Sequence, residues 1–316
     1  MAGVPQASDP KTEPKGFGLR LMDEIQNEGT VHQDLVARIE AITSRNLISY
    51  SSFFQHPAGI IDDNDPPLIE MVLRSIDLTR YPDTLDLMLN SPGGSPTAAE
   101  KIVLTCRAYA NSFRVIVPQS AMSAATMVAM GADAIVMTAT SELGPIDPQM
   151  VVAGPGGPAL RPAKSFIDAY SELVAKTQQA IATNQAPHPY IELLRKLDPA
   201  WIQVCVKARK LAEQIAEEFL RKWMLAGADE GVVRHVVTQF LTQGEEGSHG
   251  RAIRAEKARS FGLTRVETIG ASDPLWELVW ELHQRSHHFI QQRGLAKYLV
   301  TRNGSVNISA RAIPLN

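Results

Sequence analysis

The amino-acid sequence predicts an α/β protein in which a mostly parallel sheet, built from βαβ units, is flanked by helices. Between residues 46 and 137, short apolar segments alternate with longer amphipathic ones. Such alternation is typical of right-handed crossovers that join parallel strands. The composition, with 44% hydrophobic and 21% charged residues, is that of an ordinary globular protein. The 316 residues suffice for one large domain or two modest ones.

The elements of the first half follow from the spacing of apolar residues. A helix is predicted over residues 19–43, interrupted near residues 28–30. Downstream, strands are predicted over residues 46–53, 85–89, 113–118 and 134–137, and helices over residues 66–76, 96–110 and 122–131. In such a sheet, ligands bind in the loops at the carboxyl ends of the strands. We therefore expect the functional residues in those loops.

The second half is predicted to be largely helical. Glycine and proline in residues 151–158 indicate a flexible loop. Helices are predicted over residues 163–183, 199–226, 229–242, 251–261 and 272–294. The helix over residues 199–226 carries an apolar stripe that favours core or subunit packing over a ligand site, formed by Trp201, Val204, Ala208, Leu211, Ile215, Phe219 and Trp223.

The ends of the chain are predicted to differ from its body. Residues 1–17 are polar and contain several prolines and glycines, which predicts a disordered tail. The last twenty or so residues are expected to be poorly ordered. The predicted organisation is a tail over residues 1–17, a main domain over residues 18–270, and a C-terminal helix and tail over residues 271–316.

Composition excludes several classes of partner. A formal net charge of -3 provides no basic field for nucleic acid, and 6% aromatic residues provide few platforms for base stacking. The N-terminus lacks the apolar core of a signal peptide. The longest apolar stretch, residues 121–140, is interrupted by polar residues including Ser123 and Asp133, which disfavours a membrane span. A soluble, cytoplasmic protein is expected.

The first candidate functional segment is Asn90-Ser91-Pro92-Gly93-Gly94, which follows a predicted strand. Paired glycines let the backbone approach a ligand closely and turn its N–H groups outward. Such N–H groups can stabilise an oxyanion. By itself, a Pro-Gly-Gly sequence after a strand is more often an ordinary turn.

The second candidate segment spans residues 118–131, where a predicted strand ends at Pro118 and a helix of small residues begins near Met122. A serine at such a turn lies beside the free N–H groups and the positive dipole end of the helix. This arrangement is similar to a nucleophile elbow, although no Gly-x-Ser-x-Gly pattern occurs. The alternative is that Ser120 or Ser123 simply caps the helix.

Together the two segments resemble the Clp-type and signal-peptide-peptidase-type serine peptidases. Residues 141–149 and 113–119 are still more similar to the serine dehydrogenase proteinase group, and residues 249–263 resemble the module that closes the fold in these relatives. The resemblance covers roughly residues 35–285 and implies a Clp/crotonase-type fold with a helical C-terminal extension. It also implies a homo-oligomer that acts on peptides or unfolded protein.

The resemblance assigns roles to individual residues. Ser123 becomes the nucleophile, and Gly93, Gly94 and Ala124 become the N–H donors of the oxyanion hole. Clp-type enzymes complete a triad with a histidine, but here no histidine occurs between His56 and His188. Signal-peptide peptidases use a lysine farther along the chain instead. Lys164, which lies directly after the glycine-rich loop, is therefore the candidate base.

A lysine base must be neutral when it acts. A free lysine has a pKa near 10.4, so that neutrality at pH 7 costs about 4–5 kcal/mol. Burial in an apolar pocket can provide a shift of that size. The neutral amine could then accept the hydroxyl proton of Ser123 and later protonate the leaving amine. The alternative is that Lys164 is a solvated surface residue.

Several other residues are also candidates for structural or functional roles. Asp147 either orients the site or caps a turn, and His249 is expected to be structural. Residues 62–65 resemble a calcium loop in composition only and are predicted to form the first turn of a helix. The two cysteines, Cys106 and Cys205, are predicted to be buried thiols. No metal or cofactor is required, because neither ligand spacing nor a phosphate-binding glycine loop is present.

Three other functions are considered. A crotonase-type acyl-CoA enzyme would share the fold but would need a carboxylate base. A non-catalytic scaffold would keep the fold with an unactivated Ser123. A dehydrogenase or dehydratase is disfavoured because the chain has neither a dinucleotide-binding glycine motif nor an obvious pyridoxal site.

Overall fold

The strands of the structure are short and mostly buried. The computed structural model describes residues 28–154, 157–242 and 252–310. In chain order, the strands are β1 (Asn46–Ser52), β2 (Thr84–Asn90), β3 (Ser112–Ile116), β4 (Ser120–Ala121), β5 (Ala134–Met137), β6 (Glu142–Leu143), β7 (Gln149–Gly154), β8 (Gly157–Pro162), β9 (Val266–Thr268), β10 (Leu295–Thr301) and β11 (Gly304–Ser309). Seven of them form the main sheet in the order β11-β10-β1-β2-β3-β5-β9.

Helices cover both faces of this sheet. They are α1 (Glu28–Thr43), α2 (Asp65–Ser75), α3 (Pro96–Tyr109), α4 (Ala124–Met130), α5 (Ala163–Ala182), α6 (His188–Leu194), α7 (Pro199–Phe219), α8 (Glu230–Thr242), α9 (Ala255–Ser260) and α10 (Pro274–Arg293). A 3-10 turn occupies Pro57–Gly59, and a π-helical turn, Leu220–Met224, continues α7.

The predicted fold class is confirmed. Strands β1, β2, β3, β5 and β9 run parallel, and helices connect them. Because side chains alternate between the two faces of a strand, neighbouring residues enter different cores. Leu87 packs in a core with α2, α3, α4, α7 and α8, whereas Met88 packs in a second core with α1 and α10. Burial on both faces explains why these strands carry apolar residues at consecutive positions, such as Leu47 and Ile48 in β1.

Local sequence signals position several helix starts. Ser95 caps α3 by accepting a hydrogen bond from the N–H of Ala98 at 3.3 Å, and proline occupies the first turn. Asp198 caps α7, and Asp273 caps α10, each through a backbone N–H two residues later at 2.8 Å. Of residues 62–65, which were predicted to form the first turn of a helix, only Asp65 belongs to α2, and the preceding residues lead into it.

The expectation of a poorly ordered C-terminus is wrong for the described residues up to 310. Strand β10 pairs antiparallel with β1, and β11 pairs antiparallel with β10. Every residue of β10 is buried, because the strand is an interior member of the main sheet. The C-terminal segment is thus more than a helix and tail, since it completes one side of the sheet. A domain boundary near residue 270 stays a prediction.

Two predictions about the second half also need correction. The expected flexible loop is part of a hairpin, in which β7 pairs with β8 from Gln149 opposite Pro162 to Gly154 opposite Gly157. The apolar stripe on α7 does not lie on one buried side, since Val204 and Leu211 are exposed while Cys205 is buried. Apolar residues there surround much of the helix, so the stripe did not identify its buried face.

Both cysteines are buried free thiols, as predicted. Helix α1 includes residues 28–30, where an interruption was predicted, but residues 19–27 of the predicted helix lie outside the described residues, so the interruption stays a prediction. The predicted disordered tail over residues 1–17 and the predicted structural role of His249 lie outside the described residues.

Two histidines in the second core predict how stability depends on pH. His32 on α1 and His283 on α10 are buried, and their pKa values are lowered to about 4, mainly by burial and then by Arg285 and His287 respectively. Between pH 6.5 and 4 the unfolded chain binds more protons at these sites than the folded chain. The free energy of unfolding therefore falls as the pH falls, by about 2 kcal/mol for each histidine at pH 5.

Denaturant unfolding between pH 7.5 and 4.5 measures this effect. His32→Gln and His283→Gln should each flatten the dependence, while His188→Gln on the exposed surface controls for the substitution itself. A pH dependence that both buried variants leave unchanged would contradict the prediction.

Candidate active site

Ser123 occupies a strained turn between β4 and α4. Its backbone has φ 51° and ψ -118°, a combination that a side chain disfavours and glycine tolerates. Its hydroxyl makes no capping hydrogen bond to the helix, so the capping role considered for Ser123 is not observed. Such strain costs about 1–3 kcal/mol and occurs preferentially at functional sites. The geometry therefore distinguishes Ser123 from an ordinary helix cap.

Gly93 packs directly against this serine. It has φ +90°, and a Cβ atom at this position would lie 2.3 Å from the carbonyl oxygen of Met122 and 2.8 Å from the Cβ of Ser123. No side chain fits there without displacing the backbone that holds the serine. The structure thus brings the two predicted segments together and requires glycine at the point of contact.

A third segment supports the serine from another direction. A Cβ atom on Gly144 would lie 3.0 Å from the backbone nitrogen of Ser123. The hydroxyl of Thr126 donates to the carbonyl oxygen of Ala121 at 2.7 Å and accepts a hydrogen bond from the N–H of Gly144 at 3.0 Å. Residues 141–149 carried part of the family resemblance, but the supporting roles of Gly144 and Thr126 were not predicted. The small residues at both positions were the available signal.

The backbone N–H groups near Ser123 differ in their partners. Within the described residues, neither the N–H of Gly94 nor that of Ala124 donates a hydrogen bond. The N–H of Gly93 donates to the hydroxyl of Ser91 at 3.2 Å. Ala124 is the first residue of α4, where the helix dipole favours negative charge. The backbone N–H groups of Gly94 and Ala124 are therefore available to a ligand, whereas the N–H of Gly93 is already hydrogen-bonded to Ser91.

A cavity of about 590 Å³ opens above these residues. It is formed by the glycine segment, the start of α4, the 145–151 segment, β8 and α7, with lining residues Phe54, Ile60, Pro92, Gly93, Gly94, Pro96, Met122, Ser123, Met127, Pro145, Ile146, Pro148, Gln149, Met150, Val151, Leu160, Ala208 and Leu211. Ser123 and Gln149 are the polar side chains among these described lining residues. The cavity can therefore hold an apolar group beside a serine hydroxyl.

Lys164 lies near this cavity but does not line it. It is the second residue of α5, whose first residue, Ala163, donates a backbone hydrogen bond to the carbonyl oxygen of Pro148 at 2.8 Å. Its ammonium forms an ion pair with Asp168 at 2.6 and 2.8 Å, and its side chain is 27% exposed. To act as a base, the amine of Lys164 would have to break this ion pair with Asp168.

Asp147 is linked to the cavity through a lining residue. Its carboxylate is buried and accepts a hydrogen bond from the side-chain amide of Gln149 at 2.9 Å. Gln149 in turn lines the cavity. This contact is compatible with the predicted orienting role, which stays a prediction.

The described residues offer few other site types. They contain no group of three or more His, Cys, Asp or Glu side chains placed to hold a metal ion. Every helix in the described part of the chain falls short of the length or the apolarity that crossing a bilayer requires.

Part of the chain matches a family of known proteins. Residues 58–181, which include both predicted segments and Lys164, match the model of the ClpP-like SDH-type serine proteinases. Two similar proteins are uncharacterized proteins of Methanocaldococcus jannaschii. One is 32% identical over 48% of this chain and 46% of its own length, and the other is 26% identical over 73% and 68%. The chain thus matches less than half the length of the first relative.

Solved structures include a distant match. A mutant of the membrane-bound stomatin-specific protease 1510-N aligns with 80% of this chain and 90% of its own chain. The sequence identity is 16%, and the TM-score is 0.38.

Proposed function

Since residues 58–181 belong to the ClpP-like SDH-type serine proteinase family, we propose that this chain hydrolyses peptide bonds with Ser123 as its nucleophile. The family and the Clp-type fold predicted from the motifs are thereby confirmed. The observation that carries the finer proposal is the placement of Ser123: a strained serine, not engaged in capping, lies in an apolar cavity beside the available N–H groups of Gly94 and Ala124.

The proposed reaction proceeds through an acyl-enzyme. The Ser123 oxygen forms a bond to the scissile carbonyl carbon while its proton passes to a base. The N–H groups of Gly94 and Ala124 stabilise the negative charge that develops on the carbonyl oxygen. The C–N bond then breaks as the base returns the proton to the leaving amine, and water hydrolyses the ester by the same steps. Gly93 contributes close approach rather than a donor, because its N–H is bonded to Ser91.

We assign the role of base to Lys164, which the family resemblance favours and which begins the helix beside Pro148. In this role the amine must release Asp168, lose its proton and approach Ser123. Binding of substrate in the apolar cavity can favour such a change, since exclusion of water penalises the charged ammonium. Lys164 is thus proposed to act from a rearranged position.

The cavity supports a peptide substrate with a large apolar side chain near the scissile bond. Its lining side chains are mostly aliphatic and include Met122, Ile146 and Leu211. A crotonase-type acyl-CoA enzyme is disfavoured, since none of the described lining residues carries a carboxylate. A homo-oligomer acting on peptides or unfolded protein remains part of the proposal.

Labelling with a fluorophosphonate probe tests the proposal, because such probes modify activated serines. The purified chain is labelled across pH 6–10, and the adduct is mapped to a residue. We expect an adduct on Ser123 that disappears in Ser123→Ala and persists in Ser120→Ala, a matched change at the neighbouring candidate. A folded wild-type protein that stays unlabelled would favour the non-catalytic scaffold.

The proposed role of Lys164 as the base is tested by substituting each member of its ion pair with Asp168. Lys164→Met should lower kcat/KM by about 100-fold or more, because it removes proton transfer. Asp168→Asn should keep activity, because it removes only the ion pair that the amine must release before it approaches Ser123. Rates measured across pH 6–10 distinguish these results. Equal activity of Lys164→Met and wild type would remove Lys164 from the mechanism.

A further inference from the structure

The buried ammonium group of Lys297 pairs with Asp62, the residue that follows Ile61. The backbone of Ile61 is hydrogen-bonded to the turn around Gly93 and Gly94, called the glycine turn below. Lys297 on β10 is 3% exposed, and its Nζ atom is 3.0 and 2.8 Å from the two carboxylate oxygens of Asp65 and 3.2 Å from Asp62. Asp65 is fully buried, while Asp62 is 37% exposed. A buried lysine is rare unless it is paired, and loss of one partner leaves an uncompensated charge. The cluster of Lys297, Asp62 and Asp65 is therefore a constrained element of the structure.

The same carboxylates hold the backbone just before α2. The N–H of Asp62 donates to Asp65 at 2.7 Å, and the N–H of Asp65 donates to the carbonyl oxygen of Asp62 at 3.1 Å. Oδ2 of Asp62 contacts Lys297, and its Oδ1 accepts a hydrogen bond from the N–H of Asn64 at 2.8 Å. These bonds restrain the position of the preceding residue, Ile61.

Ile61 is in turn bonded to the glycine segment on both sides. Its N–H donates to the carbonyl oxygen of Gly93 at 2.7 Å, and its carbonyl oxygen accepts from the N–H of Ser95 at 2.8 Å. A Cβ atom on Gly94 would lie 2.2 Å from the carbonyl oxygen of Ile61. The glycine turn thus lies so close to the backbone of Ile61 that no side chain fits at residue 94.

The geometry of the peptide group links these bonds to the proposed oxyanion hole. The C=O of Gly93 and the N–H of Gly94 belong to one planar trans peptide, so they point in opposite directions. Because the C=O is held toward Ile61, the N–H of Gly94 is aimed away from Ile61. The orientation of this donor is therefore determined by Ile61.

We propose that Lys297, Asp62 and Asp65 are positioning residues for the oxyanion hole, acting through Ile61 on the peptide between Gly93 and Gly94. The inference rests on the proposed peptidase function, since it concerns one of its donors. It also assigns a catalytic purpose to the C-terminal hairpin, which supplies Lys297.

The test compares three asparagine variants of the same acidic segment. Asp65→Asn and Asp62→Asn weaken the cluster by small, nearly isosteric changes. Asp63→Asn is the matched control, because Asp63 makes its ion pair at 2.8 Å with Lys101 on the surface, where both side chains are more than half exposed. Asp62→Asn keeps the proposal testable if Asp65→Asn does not fold.

Two measurements are made on folded protein. With a peptide substrate, Asp65→Asn should lower kcat by about tenfold or more with KM within about twofold of wild type, since an oxyanion donor acts in the transition state. Asp62→Asn should show the same pattern with a smaller decrease, and Asp63→Asn should match wild type. Hydrogen exchange of residues 90–96 should become faster in the first two variants only.

The outcomes separate this inference from the proposed function. Wild-type kcat and unchanged exchange in folded Asp65→Asn and Asp62→Asn would overturn the positioning role while leaving the peptidase intact. A general loss of stability without a selective loss of kcat would also overturn it. If wild type neither cleaves nor labels, the proposed function fails, and the catalytic role of the cluster fails with it. In that case, exchange still reports whether the cluster anchors the glycine turn.

Discussion

Replacement of Ser123 by glycine is expected to abolish hydrolysis and to stabilise the folded chain. The serine has φ 51° and ψ -118°, which glycine adopts without a Cβ clash. Relief of strain contributes about 1–3 kcal/mol. The greater freedom of glycine in the unfolded chain offsets about 0.4–1 kcal/mol of this gain. We therefore expect the free energy of unfolding to increase by roughly 1 kcal/mol, while kcat/KM falls by at least about 1,000-fold.

Ser44→Gly is the matched control for this prediction. Ser44 also has positive φ, 53°, but it lies at the end of α1 and does not line the cavity. Its replacement should leave hydrolysis unchanged. Denaturant unfolding and peptide hydrolysis measure the two effects. Retained hydrolysis in Ser123→Gly would exclude Ser123 as the nucleophile, and a less stable Ser123→Gly would show that its backbone is not strained.

Gly93→Ala is expected to damage both the fold and the reaction. The new Cβ atom would meet the carbonyl oxygen of Met122 at 2.3 Å and the backbone nitrogen of Ala124 at 2.9 Å. Both contacts involve backbone atoms, which cannot rotate away as a flexible side chain can. Overpacking and positive φ together predict a loss of roughly 2–4 kcal/mol of stability. Displacement of Ser123 or the Ala124 donor predicts a decrease in kcat/KM of about 100-fold or more.

Gly227→Ala separates the two causes of this damage. Gly227 has a similar φ of +83°, but nothing lies within 4 Å of a Cβ atom there. It should show only the backbone cost, about 1–2 kcal/mol, with unchanged kcat/KM. Thermal unfolding and peptide hydrolysis of both variants provide the comparison. Equal behaviour of the two variants would show that contact with the Ser123 turn has no special importance.

The candidate site illustrates how far local signals reach. The segments around Gly93 and Ser123 were identified because each combines small residues with a strand end, and the structure places them in contact. The engagement of the Gly93 N–H by Ser91 was not predictable, since it depends on the curvature of the turn. Likewise, the pairing of Lys164 with Asp168 is one of several contacts open to a long side chain near a helix start.

Local patterns in the sequence predicted the parallel sheet, the order of its first strands and helices along the chain, and the two segments that meet at Ser123. These features depend on residue periodicity and on small residues at strand ends, which act locally. No such pattern indicated that the C-terminal hairpin completes the sheet and brings Lys297 to Asp62 and Asp65, which is seen in the folded chain. Contacts between residues so distant in the chain depend on how strands pair across the whole sheet, and no local pattern specifies that pairing.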